Sequence, residues 1–183
     1  MNLKIMTLGL AACATIAHAG GFFSETEDNN TLAMANDLGS FDTPGGSVAI
    51  DGILSEGDVD WFSFTLENTA SLSFFAAFSA GDGDGLMQIV TAAGDVIAFD
   101  DDSGVGLMPA IQIDSLAAGD YFIGFSGFGD VDSSSIGSDE LADGLGHDED
   151  FGYKISVGFS IVPAPGAMAL LGMGGVVMTR RRR

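Results

Sequence analysis

Hydrophobic and polar residues alternate most regularly near the end of the chain. From Tyr153 to Ile161 the odd-numbered residues are apolar, and the even-numbered residues are lysine, serine or glycine. A period of two is typical of a β-strand with one buried face and one exposed face. Residues 61–66 and 72–78 also have one apolar face each, and a turn at Glu67-Asn68 separates them. These three runs predict strands.

Five more short runs rich in aliphatic, β-branched and aromatic residues predict further strands. They are Val48–Ile53, Leu86–Thr91, Val96–Phe99, Ala110–Ile113 and Tyr121–Ser126. Segments such as Ala93-Gly94-Asp95 and Ala118-Gly119-Asp120 are typical of the turns between antiparallel strands. Clear helical periodicity is absent. We therefore expect an all-β fold, an antiparallel β-sandwich of jelly-roll type with about eight strands.

The sandwich is predicted to occupy residues 31–162, after a polar lead-in at residues 20–30. Residues 127–152 interrupt the rhythm of short strands, because they are rich in glycine, serine and acidic residues. A connection of this length inside a compact domain is usually functional or disordered.

The first 19 residues have the pattern of a secretory signal peptide. Lys4 precedes an apolar run from Ile5 to Ile16, which is too short to span a bilayer, and Ala17-His18-Ala19 follows as a small-x-small cleavage site. Signal peptidase would cut after Ala19. A lipoprotein signal ending at Cys13 is the alternative, but it leaves a shorter apolar run. The protein is therefore expected to be exported.

The last 21 residues, 163–183, predict a sorting or anchor segment. Pro163-Ala164-Pro165 is followed by an apolar stretch, Ala167–Met178, and by Arg180, Arg181, Arg182 and Arg183. This order resembles the PEP-CTERM signal, although alanine replaces the usual central glutamate. The resemblance implies transient retention in the inner membrane, processing by an exosortase and a place on the cell surface or in an exopolysaccharide matrix. A plain C-terminal membrane anchor is the alternative.

Charge excludes several classes of partner. The chain has 26 acidic residues and six basic ones, and only Lys154 is basic between residues 20 and 179. Such a body does not favour nucleic acid or an anionic membrane surface. It suits divalent cations or a salty medium, or it serves solubility alone. Since Cys13 leaves with the signal peptide, disulfides, thiolate zinc sites and cysteine nucleophiles are also excluded.

Three segments resemble the bacterial pre-peptidase C-terminal domain. They are Gly57–Phe64 with an Asp-Val-Asp-Trp core, Gly94–Gly104 with an acidic triplet, and the aromatic run Ala118–Phe125. They occur in the family's order over roughly residues 31–161. The resemblance implies a β-sandwich of the kind found beside secreted proteases and on surface proteins, with substrate or matrix binding in some members.

Calcium is the cofactor that the residues permit, because a hard cation takes several carboxylate oxygens from glycine-containing loops. The leading ligands are Asp100, Asp101 and Asp102, before Ser103-Gly104, with Asp58 or Asp60 completing the set. Asp82 and Asp84 form a second candidate, and Asp148-Glu149-Asp150 with His147 a third. A solvated acidic surface is the competing interpretation for all of them.

No catalytic centre is expected. His147 is the only imidazole left after export, and it lies among glycines and acids without a nucleophile motif. Trp61 and Tyr153 are possible carbohydrate platforms, although packing in the core is the favoured role for both. The leading hypothesis is a non-catalytic surface or matrix protein. A secreted calcium-dependent module that binds polysaccharide or protein is the first alternative, and a carboxylate-based hydrolase is the second.

Overall fold

The computed structural model describes residues 21–130 and 140–163, and this part of the chain forms two five-stranded sheets packed as a sandwich. A short 3-10 helix, Leu32–Met34, lies between the first two strands. No helix in the described ranges is long and apolar enough to cross a membrane. The strands are β1 (Gly21–Ser24), β2 (Asn36–Phe41), β3 (Gly45–Leu54), β4 (Val59–Leu66), β5 (Ala70–Ala80), β6 (Gly85–Thr91), β7 (Val96–Asp100), β8 (Ala110–Leu116), β9 (Gly119–Gly127) and β10 (Phe151–Ile161).

The predicted antiparallel sandwich of jelly-roll type is confirmed. Sheet I has the order β1-β3-β10-β5-β8, and sheet II has the order β2-β4-β9-β6-β7. Consecutive strands lie in opposite sheets throughout the described chain, except for the hairpin β6–β7. The antiparallel pairs β3–β10, β4–β9, β5–β8 and β6–β7 nest one inside the next. Nested pairing across two sheets is the connectivity of a jelly roll.

All eight predicted strands are present, and the structure adds two parallel edge strands. β1 pairs with β3, and β2 pairs with β4. The polar lead-in predicted at residues 20–30 is corrected, because β1 already belongs to sheet I and the sandwich begins before residue 31. β1 has only four residues, and the register of β2 shifts between Asp37 and Ser40 beside Gly39, whose φ is +80°. Neither strand is long or regular enough to give a clear alternation.

The main core fills the space between the sheets with aromatic and aliphatic side chains. The odd-numbered residues of β10 from Tyr153 to Phe159 are buried, which confirms the face predicted from alternation. Phe41 stacks on Phe159 with ring centroids 4.5 Å apart, and on Phe64 at 5.2 Å. These contacts join strands of both sheets, so the aromatic residues hold the sandwich together.

A smaller core lies on the outer face of sheet II, under the loop that precedes β10. Val59, Trp61 and Val90 pack there against Ala142. The buried amide of Gln88 holds this loop, because its Nε2 donates to Glu140 O at 2.8 Å and its Oε1 accepts from Ala142 N at 3.0 Å. Gln88 therefore pairs with the loop as a peptide group of a neighbouring strand would.

Several predicted features lie outside the described residues. They are the signal peptide at residues 1–19 with Ala17 and Ala19, the tail with Pro165, Arg180, Arg181, Arg182 and Arg183, and residues 131–139 of the acidic connection. Pro163 is the last described residue and is exposed. The processing sites therefore remain predictions.

Candidate metal centre

Three carboxylates converge where the chain leaves β1. Glu25 and Glu27 follow β1, and Asp60 is the second residue of β4. One oxygen of each lies within 4.8 Å of the others, and the three residues run from exposed Glu27 through half-buried Glu25 to buried Asp60. No other group of three metal-ligating side chains meets this spacing within residues 21–130 and 140–163. We call Glu25, Glu27 and Asp60 the acidic triad.

Hydrogen bonds hold the segment that carries the two glutamates. The Glu25 N–H donates to Asp51 O at 3.0 Å, which prolongs the pairing of β1 with β3. The Asn36 side chain then pairs with the backbone of Thr26, accepting from its N–H at 2.7 Å and donating to its carbonyl at 2.9 Å. These contacts fix the backbone at Glu25 and Thr26, and one carboxylate oxygen each of Glu25 and Glu27 lies within 4.8 Å of an oxygen of Asp60.

Tyr153 supports the triad from inside the sandwich. Its hydroxyl lies 2.7 Å from Asp60 Oδ2 and 2.9 Å from Glu25 Oε2, and the Ile53 N–H also donates to Glu25 Oε2 at 3.1 Å. Gly52 makes this approach possible, since a Cβ there would lie 2.0 Å from Glu25 Oε2 and 2.4 Å from the Tyr153 ring. The position requires glycine for space and not for its φ angle.

The side chain of Asn29 is fully buried against the same carboxylates. Its amide nitrogen lies 3.0 Å from Asp60 Oδ1 and 3.2 Å from Glu27 Oε2 and donates to both carboxylates. Asn29 therefore ties the exposed Glu27 to the buried Asp60.

Electrostatic repulsion and burial make the metal-free centre hold protons. Burial, followed by the negative charge of Glu25, raises the pKa of Asp60 to about 9. Burial also raises the pKa of Glu25 to about 7. The pKa of Tyr153 rises well above its usual value, first because of burial and then because of the charge of Asp60. Carboxylates this close cannot all ionise without a compensating cation.

The chemistry of the donors suits a hard divalent cation. The triad offers carboxylate oxygens, which are ligands that calcium and magnesium take in proteins. Soft thiolate and imidazole donors do not take part in this group. The acidic triad can therefore hold a metal ion.

The predicted ligands Asp100, Asp101 and Asp102 lie in a hydrogen-bonded loop between β7 and β8, away from the acidic triad. The Asp100 carboxylate accepts from Ser103 N at 3.1 Å, Ser103 Oγ at 2.6 Å and Ala110 N at 2.7 Å. Asp101 Oδ1 accepts from the Asp102 N–H at 2.8 Å. These contacts close the loop between β7 and β8, so the Ser103-Gly104 turn is formed by Asp100 itself.

The remaining acidic candidates also lie apart from the triad. Asp58 Oδ1 accepts from the Val59 N–H at 2.9 Å, and Asp82 is exposed. Asp84 donates its N–H to Glu149 Oε2 at 3.1 Å, and its Oδ1 is buried without a hydrogen-bond partner. Burial, followed by the charge of Glu149, raises the pKa of Asp84. Of the predicted ligands, only Asp60 belongs to the triad.

His147 and the two candidate platforms have structural positions. His147 is buried, its Nε2 donates to Asp58 O at 2.7 Å, and its Nδ1 accepts from the Glu149 N–H at 3.3 Å. Trp61 and Tyr153 are 1% and 0% exposed, respectively, which agrees with the core packing favoured from sequence. Neither aromatic ring presents a face to a carbohydrate.

Sequence reasoning missed Glu25, Glu27 and Asn29 because it assigned residues 20–30 to a lead-in outside the domain. No strand pattern marked them, because β1 ends at Ser24 and the chain bends at Glu27, so the side chains of Glu25, Glu27 and Asn29 do not follow the alternation of a strand.

Comparison with known proteins gives similarity at the level of fold. No protein-family model and no curated protein matches this chain. The pre-peptidase C-terminal domain of a collagenase from Bacillus anthracis is similar, with 16% identity, a TM-score of 0.46, and coverage of 67% of this chain and 93% of that domain. PliG, a periplasmic inhibitor of g-type lysozyme from Aeromonas hydrophila, has 12% identity, a TM-score of 0.45, and coverage of 78% and 100%, respectively.

Proposed function

We propose that this protein is an exported, non-catalytic component of the cell surface or extracellular matrix, and that calcium stabilises its sandwich at the acidic triad. The observation that carries the proposal is the convergence of Glu25, Glu27 and Asp60 within 4.8 Å. The glutamates follow edge strand β1 and the aspartate lies in the opposite sheet. An ion held by all three would fasten the beginning of the sandwich to its other layer.

The charge of the domain supports calcium binding. Residues 20–179 carry 26 acidic residues and one lysine, a net charge of −25 by subtraction. Self-repulsion of this size disfavours the compact state, and it acts most strongly where carboxylates are buried together. Calcium fits better than magnesium, because it accepts irregular sets of oxygens whereas magnesium requires a near-ideal octahedron.

Thermal unfolding of the exported protein in calcium and in chelator tests the site. Calcium should raise the free energy of unfolding by about 2.7 kcal/mol when it is about 100-fold above its dissociation constant. Glu27→Gln should abolish the rise without disturbing the fold, since Glu27 is exposed. Asp60→Asn should also abolish it.

Two controls decide whether the triad is responsible. Asp101→Asn and Asp102→Asn change charge equally on the loop after β7 and should leave the calcium effect unchanged. Magnesium at the same ionic strength should give a smaller rise, because general screening acts on both salts alike. Loss of the calcium effect in the Asp101 and Asp102 variants, but not in Glu27→Gln, would assign the site to the aspartate loop instead.

Export and sorting form the second part of the proposal. Signal peptidase would release residue 20 as the new terminus, and an exosortase would process the tail beyond the sandwich. β10 ends at Ile161 and Pro163 is exposed, so removal of residues 163–183 leaves all ten of the described strands in place. Mass spectrometry of the exported protein should find Gly20 at its N-terminus without lipid. Deletion of residues 163–183 should release a folded domain to the medium, and a truncated protein that stays in the membrane fraction would contradict sorting by the tail.

A further inference from the structure

A shallow groove runs along the outer face of sheet I, over β5 and β10. Its first part, of about 510 Å³, is lined by Phe75, Lys154 and, from the loop after β7, Val105. Its second part, of about 330 Å³, lies farther along the same two strands and is lined by Ser73 and Ser160. From Lys154 to Ser160 the groove follows six residue steps of β10, which is about 20 Å at the rise of a β-strand. The groove therefore has the length to hold several units of a chain molecule.

Small residues on neighbouring strands form the floor of the groove. The register of β10 and β5 places Ser160 beside Ser71, and Gly158 beside Ser73. Gly158 keeps the floor low, because a Cβ there would lie 2.8 Å from Ser73 Oγ. Ser156 and Ser160 are exposed, and Ser71 and Ser73 are half-buried. The floor therefore presents hydroxyl groups, each of which can donate and accept hydrogen bonds.

Two exposed phenylalanines stand on either side of this floor. Phe22 of β1 and Phe75 of β5 are 64% and 54% exposed, respectively. Phe22 pairs with Ala49, Ala49 with Ser156, and Ser156 with Phe75, so the two phenylalanines lie in one row of the sheet. Three strand spacings separate their backbones, about 14 Å. The row offers apolar surface at two points, and covering that surface with a ligand is favourable.

The groove is neutral, although residues 20–179 carry 26 acidic residues. None of the described residues that line either part is aspartate or glutamate. Lys154 is the one charged residue in the lining, and it forms an ion pair with Asp51. Its Nζ also lies 5.7 Å from the centroid of the Phe22 ring. The positive charge of Lys154 is therefore already balanced, and the groove is an uncharged strip on a strongly negative body.

We propose that this groove binds a neutral polysaccharide, whose sugar rings pack on Phe75 and Phe22 and whose hydroxyls pair with the serines of the floor and with Gln112. Sugars suit this lining because they combine apolar C–H faces with hydroxyls that donate and accept hydrogen bonds. The net charge of −25 repels an acidic polysaccharide but not a neutral one. A protein partner fits less well, since serine and alanine are depleted in protein interfaces. The lining includes no member of the acidic triad, so this inference does not depend on calcium.

Affinity electrophoresis of the exported protein tests the groove. A native gel that contains mannan or dextran, both neutral polysaccharides, is compared with a gel that contains none. At least one of the two should slow the protein, and alginate, an acidic polysaccharide, should not. The retardation should be the same in calcium and in chelator, because the groove is separate from the acidic triad.

Two phenylalanine variants locate the binding surface. Phe75→Ala should raise the apparent dissociation constant from the gel about tenfold or more, because the apolar surface that covers the sugar is lost. The fold should be unaffected, since Phe75 is exposed. Phe128→Ala is the matched control, because Phe128 is 49% exposed but follows β9 in sheet II. It should leave the retardation unchanged.

Several results would overturn the inference. They are the failure of both neutral polysaccharides to slow the protein, retardation by alginate alone, and retardation that Phe75→Ala leaves unchanged. A dimer that Phe75→Ala dissociates in sedimentation, without retardation by either neutral polysaccharide, would assign the face to a second copy of the chain instead. None of these results affects the calcium-induced rise in melting temperature, which tests the acidic triad separately.

Discussion

The Tyr153 hydroxyl lies 2.7 Å from Asp60 Oδ2, and this contact joins the two sheets through the interior of the sandwich. Tyr153 belongs to β10 in sheet I, and Asp60 belongs to β4 in sheet II. The same hydroxyl contacts Glu25 at 2.9 Å, but it has only one hydrogen to donate. In the metal-free domain a carboxyl proton therefore completes the second hydrogen bond, and in the metal-bound domain the cation removes the need for it.

Removal of the Tyr153 hydroxyl should destabilise the metal-free domain. Tyr153→Phe removes the hydrogen-bond partner of Oδ2 of the buried Asp60, which should cost about 1–3 kcal/mol of unfolding free energy. Urea unfolding in chelator measures it. Tyr121→Phe is the matched control, because its hydroxyl donates to Ala117 O at 3.1 Å nearer the surface, and its loss should cost about 1 kcal/mol or less. Equal losses in the two variants would contradict a special role for the inter-sheet contact.

The stability of the metal-free domain should fall as pH rises. The pKa of Asp60 is raised from 3.8 to about 9 and that of Glu25 from 4.5 to about 7, mainly by burial. Between the unfolded and the folded pKa of each group, the folded state binds more protons than the unfolded state. The stability that these protons contribute is therefore present at low pH and is lost as pH rises through the folded pKa values. Urea unfolding in chelator at about pH 5, 7 and 9 should show this decline.

Two changes should flatten that decline. Asp60→Asn removes the group that titrates highest, so the fall between about pH 7 and 9 should shrink. Saturating calcium should act in the same direction, because the ion replaces the protons. Asp101→Asn should keep the slope of the unaltered protein. A stability that rises with pH in chelator would show that the centre holds no protons.

A methyl group at Gly52 should disrupt the centre. The Cβ of Gly52→Ala would lie 2.0 Å from Glu25 Oε2 and 2.4 Å from the Tyr153 ring, so both side chains must move. Overpacking of this kind costs about 1–3 kcal/mol, and the calcium-induced rise in melting temperature should disappear. Gly158→Ala is the control, because the nearest atom to its Cβ is the movable Ser73 hydroxyl at 2.8 Å. A calcium effect retained in Gly52→Ala would place the ion elsewhere.

The Gln88 amide should control access to Trp61. Gln88→Leu removes the hydrogen bonds to Glu140 O and Ala142 N that hold the loop over sheet II. Since Trp61 is the only tryptophan, its quenching by acrylamide reports on this loop. We expect faster quenching, with a loss of about 1–3 kcal/mol for the unpaired backbone groups. Gln112→Leu, at an exposed site on β8, should leave quenching unchanged. Unchanged quenching in Gln88→Leu would mean that packing alone holds the loop.

Much of the fold was predictable because long strands show their buried face in the order of residues. β10 is the clearest case, since its alternating apolar residues pack between the sheets. β2 was not predictable in this way. Asp37 Oδ1 accepts from the Gly39 N–H at 2.8 Å, and this local turn breaks the alternation. Short parallel edge strands such as β1 also pair through one side only, so little of their sequence depends on the sheet.

The candidate site was only partly predictable. Asp60 was among the suggested calcium ligands, but Asp100 and its neighbours were ranked above it because consecutive acids are conspicuous in a sequence. In the fold, the Asp100 carboxylate accepts hydrogen bonds from Ser103 and Ala110. A local hydrogen-bonded turn competes with metal binding for the same oxygens, and the order of residues does not reveal which one prevails.

Local patterning therefore specified the all-β class, the central strands and a highly negative body, because each depends on neighbouring residues or on their sum. The acidic triad depends on contacts between distant residues instead. Glu25 and Tyr153 are 128 positions apart, and Tyr153 and Asp60 are 93 apart, yet one hydroxyl contacts both carboxylates. Only the pairing of β1 and β10 with β3, and the packing of that sheet against β4, bring these segments to one place. Burial at that place then gives ordinary carboxylates their raised pKa values and their capacity to hold a cation.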